Sequence, residues 1–213
     1  MKKKILIIVI ALAVFGILLG IVVSGKAGGF DDSIRYAFYS IRCKGLTVLA
    51  EIFSAIGSWW GMTIICLVLL ILPATRITAG VPAVIIALAT QAFEKIIKQI
   101  VGRERPPLSD RIMEATSYSF PSGHSTTSMA VFLVLIYVVR TQIKDQRLKN
   151  ILTVLLAVPM IFVGLSRIYA GVHYPTDVFA GWALGIAITT VCIMLFEEKN
   201  AKKELKTKGG KSL

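Results

Sequence analysis

The sequence predicts an all-α, polytopic membrane protein: six transmembrane helices with a further helix lying at the outer interface. Three observations predict it. Of the 213 residues, 55% are apolar and 17% charged, where a soluble domain carries about a quarter charged, and the mean hydropathy is +0.75. The apolar residues gather into long blocks instead of amphipathic stripes, as spans surrounded by lipid require. The polar residues able to do chemistry interrupt those blocks at one membrane face. A single six-span domain over 1–198 is expected, followed by a polar, Lys- and Gly-rich tail over 199–213.

In chain order the blocks cover 5–24, 59–73, 79–101, 125–139, 151–166 and 178–196. The first follows Met1-Lys2-Lys3-Lys4 and in that respect resembles a secretory signal. It is long for one and no small-x-small cleavage site follows, so a retained span is expected. The second, fourth and fifth fall short of the ~20 residues of a straight span, and flanking small or aromatic residues must complete them. Between the first two blocks, Phe30, Ile34, Phe38, Ile41, Val48, Ile52 and Ile56 recur at helical spacing, with Asp31 or Asp32 as possible N-caps. Arg35, Arg42 and Lys44 fall between them. This reads as a helix along the outer leaflet, either packed on the bundle or bordering a lateral lipid entrance. Cys43, Cys66 and Cys192 are too scattered for a disulfide framework or a thiolate metal site and read as small core residues.

Orientation follows from Lys and Arg. With the N-terminus in the cytoplasm, 14 of the 24 basic residues lie inside and ten outside, three of those ten being the motif residues Lys98, Arg105 and Arg167. Both termini are then cytoplasmic. The net charge of +12 is thereby a matter of topology; no basic folded domain exists to bind nucleic acid. Trp59, Trp60, Tyr118, Tyr169 and Tyr174 fall at outer-interface positions, where amphipathic rings prefer to sit.

Three stretches carry the chemistry, and all land at the outer face. Lys98 and Arg105-Pro106 end the third span, Pro121-Ser122-Gly123-His124 opens the fourth, and Ser166-Arg167, His173 and Asp177 bridge the fifth and sixth. A phosphoryl transition state spreads negative charge over three oxygens, and Lys98, Arg105 and Arg167 can meet it. Any one of them alone reads as a snorkelling residue, and Glu94, four residues before Lys98, offers that lysine a structural ion pair. Ser122 can cap a helix whose first amides stay unpaired, with Gly123 allowing close approach: an anion cradle. His124 then sits beside the phosphate, poised to protonate a leaving oxygen. Asp177, four residues after His173 with Pro175 suited to a first helical turn, can reach the imidazole, fix its tautomer and leave the other nitrogen free to attack phosphorus. Two histidines and an aspartate could also form a facial metal triad, but three cations in the same pocket would repel a divalent ion.

Residues 98–106, 121–124 and 166–177 together resemble the three motifs of the type-2 phosphatidic acid phosphatase family, without gaps or substitutions. The family's soluble relatives include vanadium haloperoxidases and bacterial acid phosphatases. The resemblance covers spans three to six firmly and the rest loosely, and it implies a core like that helical bundle. It further implies His173 as a nucleophile forming a phosphohistidine, Asp177 orienting it, and His124 as general acid. Lys98, Arg105, Ser122, Gly123 and Arg167 make the implied phosphate pocket, with Ser166 in support. No cofactor and no metal are implied. The implied partner is a phosphorylated lipid in the bilayer, and no obligatory protein partner is evident.

The expected function is hydrolysis of a lipid phosphate at the extracytoplasmic face of a bacterial plasma membrane. Undecaprenyl diphosphate is the leading substrate, with phosphatidylglycerophosphate or phosphatidate as alternatives. Two further readings compete: a lipid phosphotransferase sharing the same intermediate, and a non-enzymatic carrier or scaffold of lipid phosphates. Haloperoxidase activity is disfavoured in a chain built for the bilayer. Two histidines in opposite protonation states predict a bell-shaped pH profile.

Overall fold

The computed structural model describes residues 1–209, with side chains through residue 198. The chain forms α1 (Lys2–Val23), α2 (Gly28–Ser40), α3 (Lys44–Gly57), α4 (Trp59–Ile71), α5 (Val81–Val101), α6 (Gly123–Gln142), α7 (Gln146–Tyr169) and α8 (Pro175–Gly209), with no strand among the described residues. Five stretches are each long and apolar enough to cross a membrane: Lys2–Val23, Arg76–Val101, Gly123–Gln142, Gln146–Tyr169 and Pro175–Glu198. Two further helices, α3 and α4, are long and apolar enough only when taken together, and they meet at a 56° bend, as a broken span or a re-entrant loop does. Ser58 sits at that bend and caps α4, its hydroxyl accepting the Gly61 N–H at 3.1 Å.

Packing centres on α6 and α8. Gly181 and Gly185 lie one turn apart on α8, and a Cβ at either would stand within 2.8 Å of a backbone oxygen of α6, that of Ser122 or of Thr126. Small residues at this spacing let two helix backbones approach closely, the contact favoured in lipid, where burial of oily surface gives helices no reason to associate. Thr189 adds an interhelical bond, donating to the Ala130 carbonyl at 3.1 Å. At the other extreme, α1 buries only Ala11 and turns Ile5, Leu6, Val9, Ile10 and Ile17 outward, as a helix facing lipid must.

The bundle has a distinct polarity. Lys4 pairs with Glu197, which also accepts from the Tyr137 hydroxyl at 2.7 Å. The start of α1, the end of α6 and Glu197 of α8 therefore share one end. The α5–α6 connection, the end of α7 and the start of α8 share the opposite end, so the three polar stretches meet there.

Several expectations need correction. The single helix expected over residues 30–56 is interrupted at 41–43. There Arg42 turns inward, donating to the carbonyls of Tyr169 at 2.7 Å and Asp110 at 2.8 Å. The second half, α3, keeps most of its residues exposed and rests on the bundle, with Gly57 packed hard against Val163 of α7, one of the two placements the sequence allowed. Neither aspartate caps α2; its N-cap is Ala27, with no side-chain cap. Asp31 instead lies fully buried in the first turn, and Asp32 pairs with Arg35 at 2.7 Å. Tyr169 is buried, its hydroxyl bonded to the backbone of Cys43 and to Thr47, while Trp59, Trp60 and Tyr118 are exposed as expected. Cys43 is exposed, unlike buried Cys66 and half-buried Cys192. Helix α8 continues through the expected boundary at 198 to Gly209; the side chains of that tail, and residues 210–213, lie outside the described residues.

Candidate active site

Each functional side chain is placed by a helix end. Lys98 is the last-turn cation of α5, where the helix dipole favours positive charge, and Gly102 ends that helix with φ +60°, a left-handed conformation that suits glycine. Ser122 caps α6, its hydroxyl accepting from the Ser125 N–H. Pro175 opens α8 at the one helical position where its missing N–H costs nothing. Its first turn presents Asp177.

These elements enclose a cavity of about 370 Å³ lined by Lys98, Arg105, Gly123, His124, Arg167 and His173, together with Glu94, Glu114 and Thr127. Six of the nine expected site residues thus face one space. Asp177 stands behind it, its Oδ2 3.3 Å from His173 Nδ1. Ser122 and Ser166 do not line it. The Ser122 hydroxyl is held within the first turn of α6, also accepting from Ser125 Oγ at 2.9 Å. The Ser166 hydroxyl donates to the Val163 carbonyl at 2.7 Å, as a serine inside a helix commonly does.

Two networks shape the cavity. Around His173, Asp177 Oδ2 accepts from the Ser119 hydroxyl at 2.5 Å and the Tyr174 N–H at 2.9 Å, and Oδ1 accepts from Arg103 at 2.5 Å. Arg103 also reaches Asp31 at 2.6 Å, and Asp31 accepts from the Thr176 N–H at 2.9 Å and hydroxyl at 2.8 Å. Sequence reasoning missed Arg103, Asp31, Thr176 and Ser119. Arg103 lay in view, two residues before Arg105; nothing local marks the other three. On the anion side, Lys98 donates to the Tyr118 carbonyl and stands 3.4 Å from Glu94, the ion pair the sequence allowed. Arg105 donates to the carbonyls of Ser117 and Val172 and lies 3.0 Å from His173 Nε2. Arg167 donates to Ser54, while its buried Nε has no partner among the described residues.

Charge fixes the state of the nucleophile candidate. Burial, then Arg105, Lys98 and Arg167, hold the His173 imidazole well below the ordinary histidine range, so it is neutral at physiological pH. Asp177 does not reverse this despite its contact, because its charge is already shared with Arg103. With Arg105 donating to Nε2, the ring proton belongs on Nδ1, facing Asp177. Arg105 is itself pushed down to about 10, by burial first and Arg111 next, and stays protonated at neutral pH. Burial opposes the Arg103 charge, but Asp177 and Asp31 outweigh it and hold this guanidinium above its ordinary value.

Comparison with known proteins bears on the same residues. A phosphatidylglycerophosphatase B of Bacillus subtilis is 33% identical over 108 residues, 50% of this chain and 52% of that protein. An undecaprenyl-diphosphatase of Sulfolobus acidocaldarius is 32% identical over 142 residues, 63% of each. The chain thus spans about half to two thirds of the length of these curated relatives. The crystal structure of a transmembrane PAP2-type phosphatidylglycerolphosphate phosphatase from Bacillus subtilis superposes with a TM-score of 0.77 at 24% identity, covering 93% of this chain and 98% of that one. That of Aquifex aeolicus LpxE gives 0.64 at 20% identity, covering 78% and 95%. Residues 79–201, which contain all three polar stretches, match the PAP2 superfamily, and the chain belongs to it.

Proposed function

We propose that this protein is a lipid phosphate phosphatase that works through a phosphohistidine on His173 without a metal. One observation carries the reading: His173 is anchored at Nδ1 and turns Nε2 toward a cavity that also holds His124, Lys98, Arg105 and Arg167. A phosphoryl group entering this cavity draws Arg105 away from Nε2, because a charged acceptor outcompetes a ring nitrogen. The Nε2 lone pair forms the N–P bond as the bond from phosphorus to the leaving oxygen breaks, and that oxygen takes a proton from His124. Asp177 holds the Nδ1 proton and offsets the positive charge that develops on the ring. Water then attacks phosphorus and gives a proton to His124. The N–P bond breaks and inorganic phosphate leaves. The three cations supply the electrostatic stabilisation that dominates phosphoryl transfer.

Undecaprenyl diphosphate, converted to undecaprenyl phosphate at the outer face of a bacterial plasma membrane with both termini cytoplasmic, is the substrate we favour. The excess of Lys and Arg at the opposite end supports that orientation. An adjoining groove of about 850 Å³ carries Lys95 and Arg111, which gives a second phosphate a place to sit. Likeness to a phosphatidylglycerophosphatase supports phosphatidylglycerophosphate as a second reading, and phosphatidate shares its chemistry. A kinetic panel of the three lipids with purified enzyme tests the choice. The diphosphate should turn over fastest, with H173A inactive and chelators without effect. Preference for phosphatidylglycerophosphate would favour the second reading, phosphate appearing on an added lipid alcohol would reveal a transferase, and binding without turnover would leave only a carrier.

A further inference from the structure

The cavity that should receive a phosphoryl anion already contains one. Glu94 lies one turn before Lys98 on α5 and lines the cavity among the cations. The Glu94 carboxylate group fills the space that a Cβ on Gly123 would need, so it lies against the first residue of α6, with no hydrogen bond to the amides there among the described residues. That is where unpaired amides and the helix dipole favour an oxyanion. Its distance to Lys98 Nζ is 3.4 Å, long for a charge-assisted bond of about 2.7–2.9 Å. The carboxylate thus stands between the lysine and the glycine, within the space the cations enclose.

We infer that Glu94 is an internal anion that competes with the phosphoryl group for the cradle at the start of α6, holding down affinity for substrate phosphate and for the phosphate product. Glu94 also lines the larger adjoining groove, so an arriving phosphoryl group has somewhere to displace it. The same displacement in reverse returns the carboxylate to the cradle and helps expel phosphate after hydrolysis. Gly123 then serves two occupants in turn, and a side chain there would exclude both. The inference rests on the cavity being the phosphoryl site proposed above.

Sulfate tests it, since it stays a dianion across the working range and cannot turn over. Sulfate binding to the purified full-length protein is measured by calorimetry at constant pH and ionic strength for wild type, E94Q and E94A. Removing the carboxylate should tighten sulfate at least tenfold in both variants, lower KM for a lipid phosphate and strengthen product inhibition by inorganic phosphate. The charged and titratable groups facing Glu94 are Lys98 on its own helix, Arg105 and Glu114 from the connection, His124 from α6, Arg167 from α7 and His173 before α8. All are retained in every variant, so the difference isolates Glu94. Equal or weaker sulfate binding in both variants overturns the inference and makes Glu94 a structural partner of Lys98. Sulfate binding to none of the three proteins would remove the phosphoryl-site reading itself.

Discussion

The two halves of the cavity are held in opposite ways. Behind His173, a closed set of bonds runs from Asp177 through Arg103 to Asp31 and Thr176, and the carboxylate of Asp177 alone takes donors from four residues. Opposite it, Lys98 and Arg105 rest on backbone carbonyls, Arg167 keeps an idle Nε, and Glu94 lies against Gly123. The first half is pre-organised, as the nucleophile proposed for it would need to be. The second is exchangeable on the function and inference proposed above: neutral carbonyls and a displaceable carboxylate would give way to a phosphate, which offers the same donors a stronger acceptor. An anion site whose donors were already locked to fixed charges would gain little by binding.

The comparison can be broken most severely at His173, the proposed nucleophile. H173A should lose kcat by on the order of 10⁴-fold or more, the scale on which an unreplaceable catalytic group acts, while sulfate binding persists because the anion half remains. Loss of both together would mean the halves are not separable. H124A comes next, with a loss of about 10²–10⁴-fold. That loss should shrink for a substrate whose leaving oxygen is a weak base and departs unprotonated. A loss independent of the leaving group would deny His124 the role of acid.

The same division marks what the sequence discloses. The spans were legible because long apolar blocks are a local signal, and the cation half was legible because its residues recur beside those blocks. Motif position does not determine where a side chain points: the Ser122 hydroxyl caps α6, as its place before Gly123 suggests, and that of Ser166 donates within α7. The break between α2 and α3 was hidden because no glycine or proline marks it; its cause is Arg42 reaching carbonyls far along the chain. Asp31 shows the limit most clearly. Its position near a helix start suggests a cap, and only tertiary contact with Arg103 and Thr176 gives it a different task.

Asp31 therefore supplies the third way to probe the braced half. D31N keeps shape but removes a buried charge, leaving Arg103 with one carboxylate in place of two. Breaking a buried ion pair from one side costs about 3–5 kcal/mol, measurable as reduced thermal stability in detergent. Because Asp31 bonds Arg103, which holds Asp177, and does not line the cavity, kcat should fall about tenfold while KM and sulfate affinity stay near wild type. A rise in KM with kcat preserved would place α2 in substrate binding instead. Combining D31N with R103A should cost less than the two changes added together, since both cut the same chain of bonds.

The smallest expected effect is on stability alone. Burial and the neighbouring cations keep the folded-state pKa of His173 below its unfolded value of about 6.5. As pH falls through that value the unfolded chain takes up a proton the folded protein refuses, so the unfolded state binds more protons and stability declines with acidity. Between the unfolded value and the depressed folded one, the slope from this group is at most about 1.4 kcal/mol per pH unit. It vanishes above the unfolded value, where both states are neutral, and again below the folded one, where both are charged. Replacing His173 with Gln removes the titration while keeping a polar side chain. Unfolding followed from pH 7.5 to 5.0 should then show a shallower acid decline in H173Q than in wild type, with the two curves parallel above pH 7. Identical slopes in both proteins would mean that His173 does not carry this proton linkage, and the cost of keeping its imidazole neutral would have to be sought elsewhere in the cavity.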